Sequence, residues 1–97
     1  MVGFPAVEPG DDFIRFVDKN NIGFVIVFSR NIRSVQQVID LTNDIHNLAP
    51  VSPFIFTDQE GGTVVQFREM AATVVSPMAI AASGNPSLIK SKARLRA

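Results

Sequence analysis

Cysteine is absent from this 97-residue sequence, and histidine occurs once, at His46. The first absence excludes a disulfide scaffold, a thiolate nucleophile and any cysteine-based metal site. The second removes every mechanism that needs two imidazoles. Excess charge of either sign is missing as well, since nine Lys+Arg balance nine Asp+Glu. With no net positive charge there is no general attraction for phosphate, so no nucleic-acid partner is expected. No apolar run approaches the roughly 20 residues of a membrane span, and no basic segment followed by an apolar core opens the chain. No membrane partner is expected either, and the sequence reads as soluble and cytoplasmic. Ligand spacing for a metal is lacking, and neither G-x-G-x-x-G nor G-x-x-x-x-G-K-[ST] occurs, so no metal or cofactor is expected.

What is present is an ordinary globular share of hydrophobic residues, 46%, arranged in a strand-then-helix rhythm. Residues 2–4 make a clipped apolar start. Asp11 is placed to cap a helix with Phe13, Ile14, Phe16 and Val17 on one side, and Asn20 and Asn21 tolerate the left-handed backbone that ends it. Residues 24–28 (FVIVF) form an uninterrupted apolar run, which predicts a strand buried on both faces, as in a parallel sheet. Ser34 and Gln37 form a capping-box pattern. Behind it Val38, Leu41, Ile45 and Leu48 recur at helical spacing until Pro50 and Pro53. Residues 54–57 predict a third buried strand, followed by a polar, glycine-hinged loop, Asp58-Gln59-Glu60-Gly61-Gly62. Residues 63–75 fit either a short strand or an irregular loop. Ser76-Pro77 opens a helical turn and Asn85-Pro86 a last helix.

Strands joined by helical crossovers lie parallel, with helices outside. The predicted class is therefore α/β: about three βα units of parallel sheet with outer helices, a partial TIM-like (β/α)8 barrel spanning residues 1–97. A closed barrel needs roughly 250 residues, so the chain reads as a fragment.

In such folds ligands bind beyond the carboxyl ends of the strands. Asp58 follows an apolar strand there, where it either caps a tight turn or accepts hydrogen bonds from ligand hydroxyls. Asp58 and Glu60 lie on one backbone segment and do not flank a bond from two sides, so Glu60 is expected to turn inward toward Arg68. His46 falls on an outer helix as a solvated residue. Ser29 and Ser34 have no histidine base in their loops, so a serine nucleophile is unsupported. Lys90, Lys92, Arg94 and Arg96 crowd the last eight residues without an acid. That pattern fits a solvated helix end favoured by the helix dipole, with an anion-binding arm as the alternative.

Three segments, Ile22 to Ile32 (IGFVIVFSRNI), Thr57 to Gly62 (TDQEGG) and Ser76 to Ala79 (SPMA), resemble in order and separation the N-terminal domain of glycoside hydrolase family 3. The likeness is to its bacterial β-N-acetylhexosaminidases. It implies a TIM-like barrel, an N-acetylglucosamine-containing saccharide as ligand, and retaining hydrolysis through a covalent glycosyl-enzyme without a cofactor. It also implies that Asp58 hydrogen-bonds sugar hydroxyls. The family's aspartate nucleophile and His-Asp acid/base lie downstream of the matched segments, so the chain carries no catalytic residue and is expected to be inactive alone. Thr63 and Gln66 stand where the family usually has arginines. Gln66 remains a candidate sugar contact, without the charged fork of Arg. The readings beside this one are a non-catalytic sugar-binding piece, a barrel completed by a partner or by self-association through open sheet edges, and anion binding by the basic tail.

Overall fold

The computed structural model describes residues 1–48, 51–70 and 75–94. In chain order they form helix α1 (Asp11–Lys19), strand β1 (Phe24–Ile26), a 3-10 turn (Ser29–Asn31), helix α2 (Val35–His46), strands β2 (Phe54–Phe56), β3 (Gln59–Gly61) and β4 (Val64–Val65), and helices α3 (Pro77–Ala82) and α4 (Pro86–Arg94). The fold is mixed α/β with a small parallel sheet. β1 pairs with β2 in parallel, Phe24 opposite Phe54 and Ile26 opposite Phe56. Residues 2–4, expected as a first strand, make a single parallel bridge between Val2 and Val25. Val2 N–H donates to the Phe24 carbonyl at 3.0 Å and Ile26 N–H returns a bond to the Val2 carbonyl at 2.9 Å.

The helix starts follow local chemistry. Ser34 Oγ accepts from Gln37 N–H at 3.1 Å, but Gln37 Oε1 accepts from Arg33 N–H, one residue short of a full capping box. Ser76 Oγ accepts from Ala79 N–H, with Pro77 at the first helical position. Asp11 departs from expectation. Gly10 is the N-cap and makes no side-chain bond, while Asp11 and Asp12 occupy the first turn, where their charge suits the helix dipole. Asn21 takes a φ of 49° just past α1, in the left-handed region that asparagine tolerates.

The core lies on one side of the sheet. Phe4, Val25, Val27, Leu41 and Ile45 are buried together, with Phe13, Ile32, Leu48 and Ile55 packed against them. α1 and α2 cover this side. The opposite face overturns the expectation of strands buried twice over: Phe24 is 48% exposed, Phe54 68% and Phe56 44%. Side chains alternate along a strand, so the even-numbered rings fall together on the uncovered side. They meet there, Phe24 stacked on Phe54 at 5.8 Å between centroids and tilted against Phe56 at 5.7 Å. The runs at 24–28 and 54–57 are also clipped to three residues each.

Among the described residues one polar side chain sits inside. Asn31 is fully buried. Its Oδ1 accepts from Phe28 N–H at 2.9 Å, and its Nδ2 donates to the Phe4 carbonyl at 3.0 Å and to the Ala6 carbonyl. It therefore ties the carboxyl end of the first strand segment to that of β1. Gln37 Nε2 reinforces the join through the Asn31 and Val7 carbonyls.

The stop expected at Pro50 lies outside the described residues, as do part of the 63–75 segment, Arg96, and the side chains of Lys92 and Arg94. Among the described residues no helix is long and apolar enough to cross a membrane.

Asn31→Ala leaves the half-buried Phe28 N–H without its acceptor and takes one donor from the Phe4 and Ala6 carbonyls, the former keeping Arg30, and is expected to cost about 1–3 kcal/mol in urea unfolding. A loss below about 0.5 kcal/mol would show that the clamp carries no stability.

Candidate functional site

The residues beyond β2 were expected as a loop, and instead begin a hairpin. Gln59–Gly61 pairs antiparallel with Val64–Val65, with an irregularity between Gln59 and Gly61. The reversal needs positive φ at Gly61 (93°) and Gly62 (64°), which glycine adopts without steric cost. A Cβ on Gly62 would lie 2.9 Å from Cβ of Ser76, so the glycine also lets the hairpin approach the cap of α3. Gln59 stiffens the return limb: its Oε1 accepts from Gln66 N–H at 2.8 Å and Phe67 N–H at 3.4 Å.

Gln66 then reaches across to the neighbouring strand tip. Its Oε1 accepts from Ser29 N–H at 2.7 Å, a bond spanning 37 residues. With Oε1 committed, the amide –NH2 is the end of Gln66 left for a ligand, and it can only donate. Between the two loops lies a cleft of about 380 Å³ whose lining includes Ser29, Arg33, Thr63, Gln66 and Arg68. Beside it Arg30 is held twice, Nε donating to the Phe4 carbonyl at 3.2 Å and the guanidinium lying 4.4 Å from the Phe28 ring centroid.

Asp58 stands between β2 and β3, exposed, at the carboxyl end of the parallel sheet as expected. It makes no hydrogen bond to another described residue and is not part of the Gln66 cleft lining. The fold thus brings Ser29 and Gln66 together and leaves Asp58 at the adjoining tip. Two atoms flanking Asp58 in the chain, Thr57 Oγ1 and Gln59 Nε2, are buried without a partner. His46 is exposed and borders a shallow hollow with Pro53 and Phe54, at the amino end of β2 and so at the other end of the sheet. Among the described residues no group of three or more acidic or histidine side chains could hold a metal ion.

Sequence reasoning placed Asn31 and Gln59 at strand tips and Gln37 in a capping box, but did not give them the role of positioning the rim. Their signal was faint: an amide after a strand also reads as a turn former.

The polar side chains gather beyond the carboxyl ends of the parallel strands, where α/β folds bind their ligands. No family model matches the sequence. Curated relatives do. The chain is 44% identical over 82 residues to a β-hexosaminidase of Alkalilimnicola ehrlichii, covering 84% of this chain and 24% of that protein. It is 51% identical over 69 residues to a β-hexosaminidase of Stenotrophomonas maltophilia, covering 71% and 21%. Among solved structures, a glycoside hydrolase family 3 β-N-acetylglucosaminidase from Paenibacillus sp. superposes with a TM-score of 0.82 at 31% identity, over 96% of this chain and 18% of that one. NagZ from Neisseria gonorrhoeae, in complex with N-trifluoroacetyl-D-glucosamine, gives 0.81 at 23% identity over 95% and 27%, a likeness of fold. The chain is a relative of the glycoside hydrolase family 3 β-N-acetylhexosaminidases. It spans about a quarter of the length of the curated relatives it matches.

Gly62→Ala forces a left-handed alanine against Ser76 and is expected to cost about 1–3 kcal/mol, with loss of the hairpin's amide-exchange protection. Unchanged melting would show that this approach is not needed.

Proposed function

We propose that this chain is one section of a retaining β-N-acetylhexosaminidase-type glycoside hydrolase, supplying about three βα units of a TIM-like barrel and part of its saccharide pocket. The ligand is an N-acetylglucosamine-containing saccharide. Asp58 accepts hydrogen bonds from its hydroxyls and Gln66 donates to it through Nε2. A cytoplasmic setting suits this reading. The observation that carries it is the 2.7 Å bond from Ser29 N–H to Gln66 Oε1, because it joins two strand tips into one rim where barrel enzymes bind substrate.

Retaining hydrolysis needs a nucleophile and an acid/base on opposite sides of the scissile bond. Asp58 and Glu60 share one segment, so this chain holds and orients sugar without breaking a bond. Its sheet edges also invite another strand, by self-association or from a partner that completes the barrel. Beyond β2 the parallel sheet has no further strand among the described residues.

N-acetylglucosamine titrated into the chain is expected to shift backbone amide signals around Asp58 and Gln66, and Asp58→Ala should abolish those shifts. Identical shifts in the variant would remove Asp58 from the site. An aryl N-acetyl-β-glucosaminide should not be cleaved; aryl alcohol released above a denatured control would refute the non-catalytic reading.

A further inference from the structure

Two glutamine side chains, acting in series, join the loop beyond β2 to the tip of β1. β3 and β4 pair over only three and two residues, with an irregularity between Gln59 and Gly61, and a two-stranded hairpin is marginal in water. The return limb leaves the ladder at Val65. Beyond that point a side chain holds the main chain: Gln59 Oε1 accepts from Gln66 N–H at 2.8 Å and from Phe67 N–H at 3.4 Å. Gln66 in turn gives its own Oε1 to Ser29 N–H at 2.7 Å. Ser29 opens the 3-10 turn that carries buried Asn31, so the far end of this relay is an anchored segment.

The donors fix the direction of both amides. An N–H group must face an oxygen, so neither side chain can turn its –NH2 inward without setting donor against donor. At Gln66 this leaves Nε2 as the free end. At half-buried Gln59 it leaves Nε2 buried without a partner. Such a donor costs stability, and a turned amide would bring no relief, because two N–H groups would lose their acceptor instead. Gln59 is therefore kept in place by its oxygen. It does not line the cleft beside Gln66, and it meets the rim through Gln66.

We propose that Gln59 is a positioning residue for the saccharide rim. Through its oxygen it sets the main chain of Gln66, and with it the separation of the two strand tips and the point from which Gln66 Nε2 meets an acceptor on the ligand. For the ligand this rests on the saccharide reading given above; the relay itself belongs to the free chain.

Amide hydrogen exchange and titration with N-acetylglucosamine, both followed by NMR on the full chain, test the two parts separately. Gln59→Met keeps the reach of the side chain and removes its oxygen, and Gln59→Ala repeats the test without added apolar bulk. Residue 59 lies outside the buried core cluster, so α1 and α2 signals should be unchanged. Ser29 N–H is expected to exchange about 2–10-fold faster in both, the range of one net hydrogen bond, although Gln59 makes no bond to Ser29. Gln66→Met should give the same gain, and the Gln59→Met/Gln66→Met double variant no more than Gln66→Met alone. Gln59→Glu, which keeps an acceptor, should retain the wild-type rate. In the titration Gln59→Met should lose the shift of the Gln66 side-chain amide and Gln59→Glu should keep it. A wild-type Ser29 rate in Gln59→Met and Gln59→Ala, additive gains in the double variant, or a Gln66 shift that survives Gln59→Met each overturn the proposal. Loss of the Val64–Val65 pairing in both oxygen-free variants also overturns it, by making Gln59 a prop of the hairpin alone. Absence of any shift in the wild type refutes the saccharide reading and leaves the relay to be decided by the exchange rates, which need no ligand.

Discussion

Asn31 is where the parallel strands become a rim. Strand tips in a parallel sheet end with main-chain groups that no ladder satisfies, and those groups must find partners or face water. A buried amide offers one acceptor and two donors in a single plane, and Asn31 uses all three directions on Phe28, Phe4 and Ala6. Everything nearer solvent builds on that closure. Arg30 shares the Phe4 carbonyl, Gln37 seals the Asn31 carbonyl, and Ser29 is left with its N–H turned to Gln66. Without the clamp the first strand segment would be tied to the β1 tip only by the Arg30 and Gln37 bonds and the Val2 bridge.

The second constraint is that this sheet is dressed on one side. Val25, Val27, Leu41 and Ile45 sit at 3% exposure or less, while the aromatic rings of the same strands stand in solvent on the other face. Alternation along a strand forces this division wherever helices cover a single face. Phe24 stacks on Phe54 and meets Phe56 at a tilt, which hides some ring surface and leaves a contiguous apolar patch on the described residues.

These two constraints separate what was legible in the sequence from what was not. Helix limits were legible because they depend on neighbours in the chain: Ser34 and Ser76 cap, Asn21 reverses, and Leu41 and Ile45 recur on the buried side of α2. Parallel pairing was legible from the crossover lengths. Strand burial was not, because an apolar run such as FVIVF records what a strand is suited to meet, and the second layer it suits is not among the described residues. The hairpin at Gln59–Gly61 was hidden for a different reason. Its residues have poor strand propensity and read as a turn, yet Gln59 Oε1 collects two N–H groups from the return limb and holds the pairing. Asp58 was placed correctly at the strand tip, whereas the link from Gln66 to Ser29 depends on a contact that no local pattern encodes.

On the proposed reading the chemistry of the rim is that of recognition. An exposed carboxylate at Asp58 accepts, the Gln66 amide donates, and Arg33 and Arg68 line the adjoining cleft. Such groups hold and orient a glycoside, and do not themselves break its bond. Acceleration requires groups whose interaction grows as the bond breaks, a nucleophile beneath the anomeric carbon and an acid at the leaving oxygen. Both must approach from positions that Asp58 and Glu60, two residues apart on one segment, cannot occupy together. On the proposed reading, then, this part of the barrel sets which sugar is held and how it lies, and the strength of that hold depends on how firmly Asn31 and Gln66 keep the two strand tips in register.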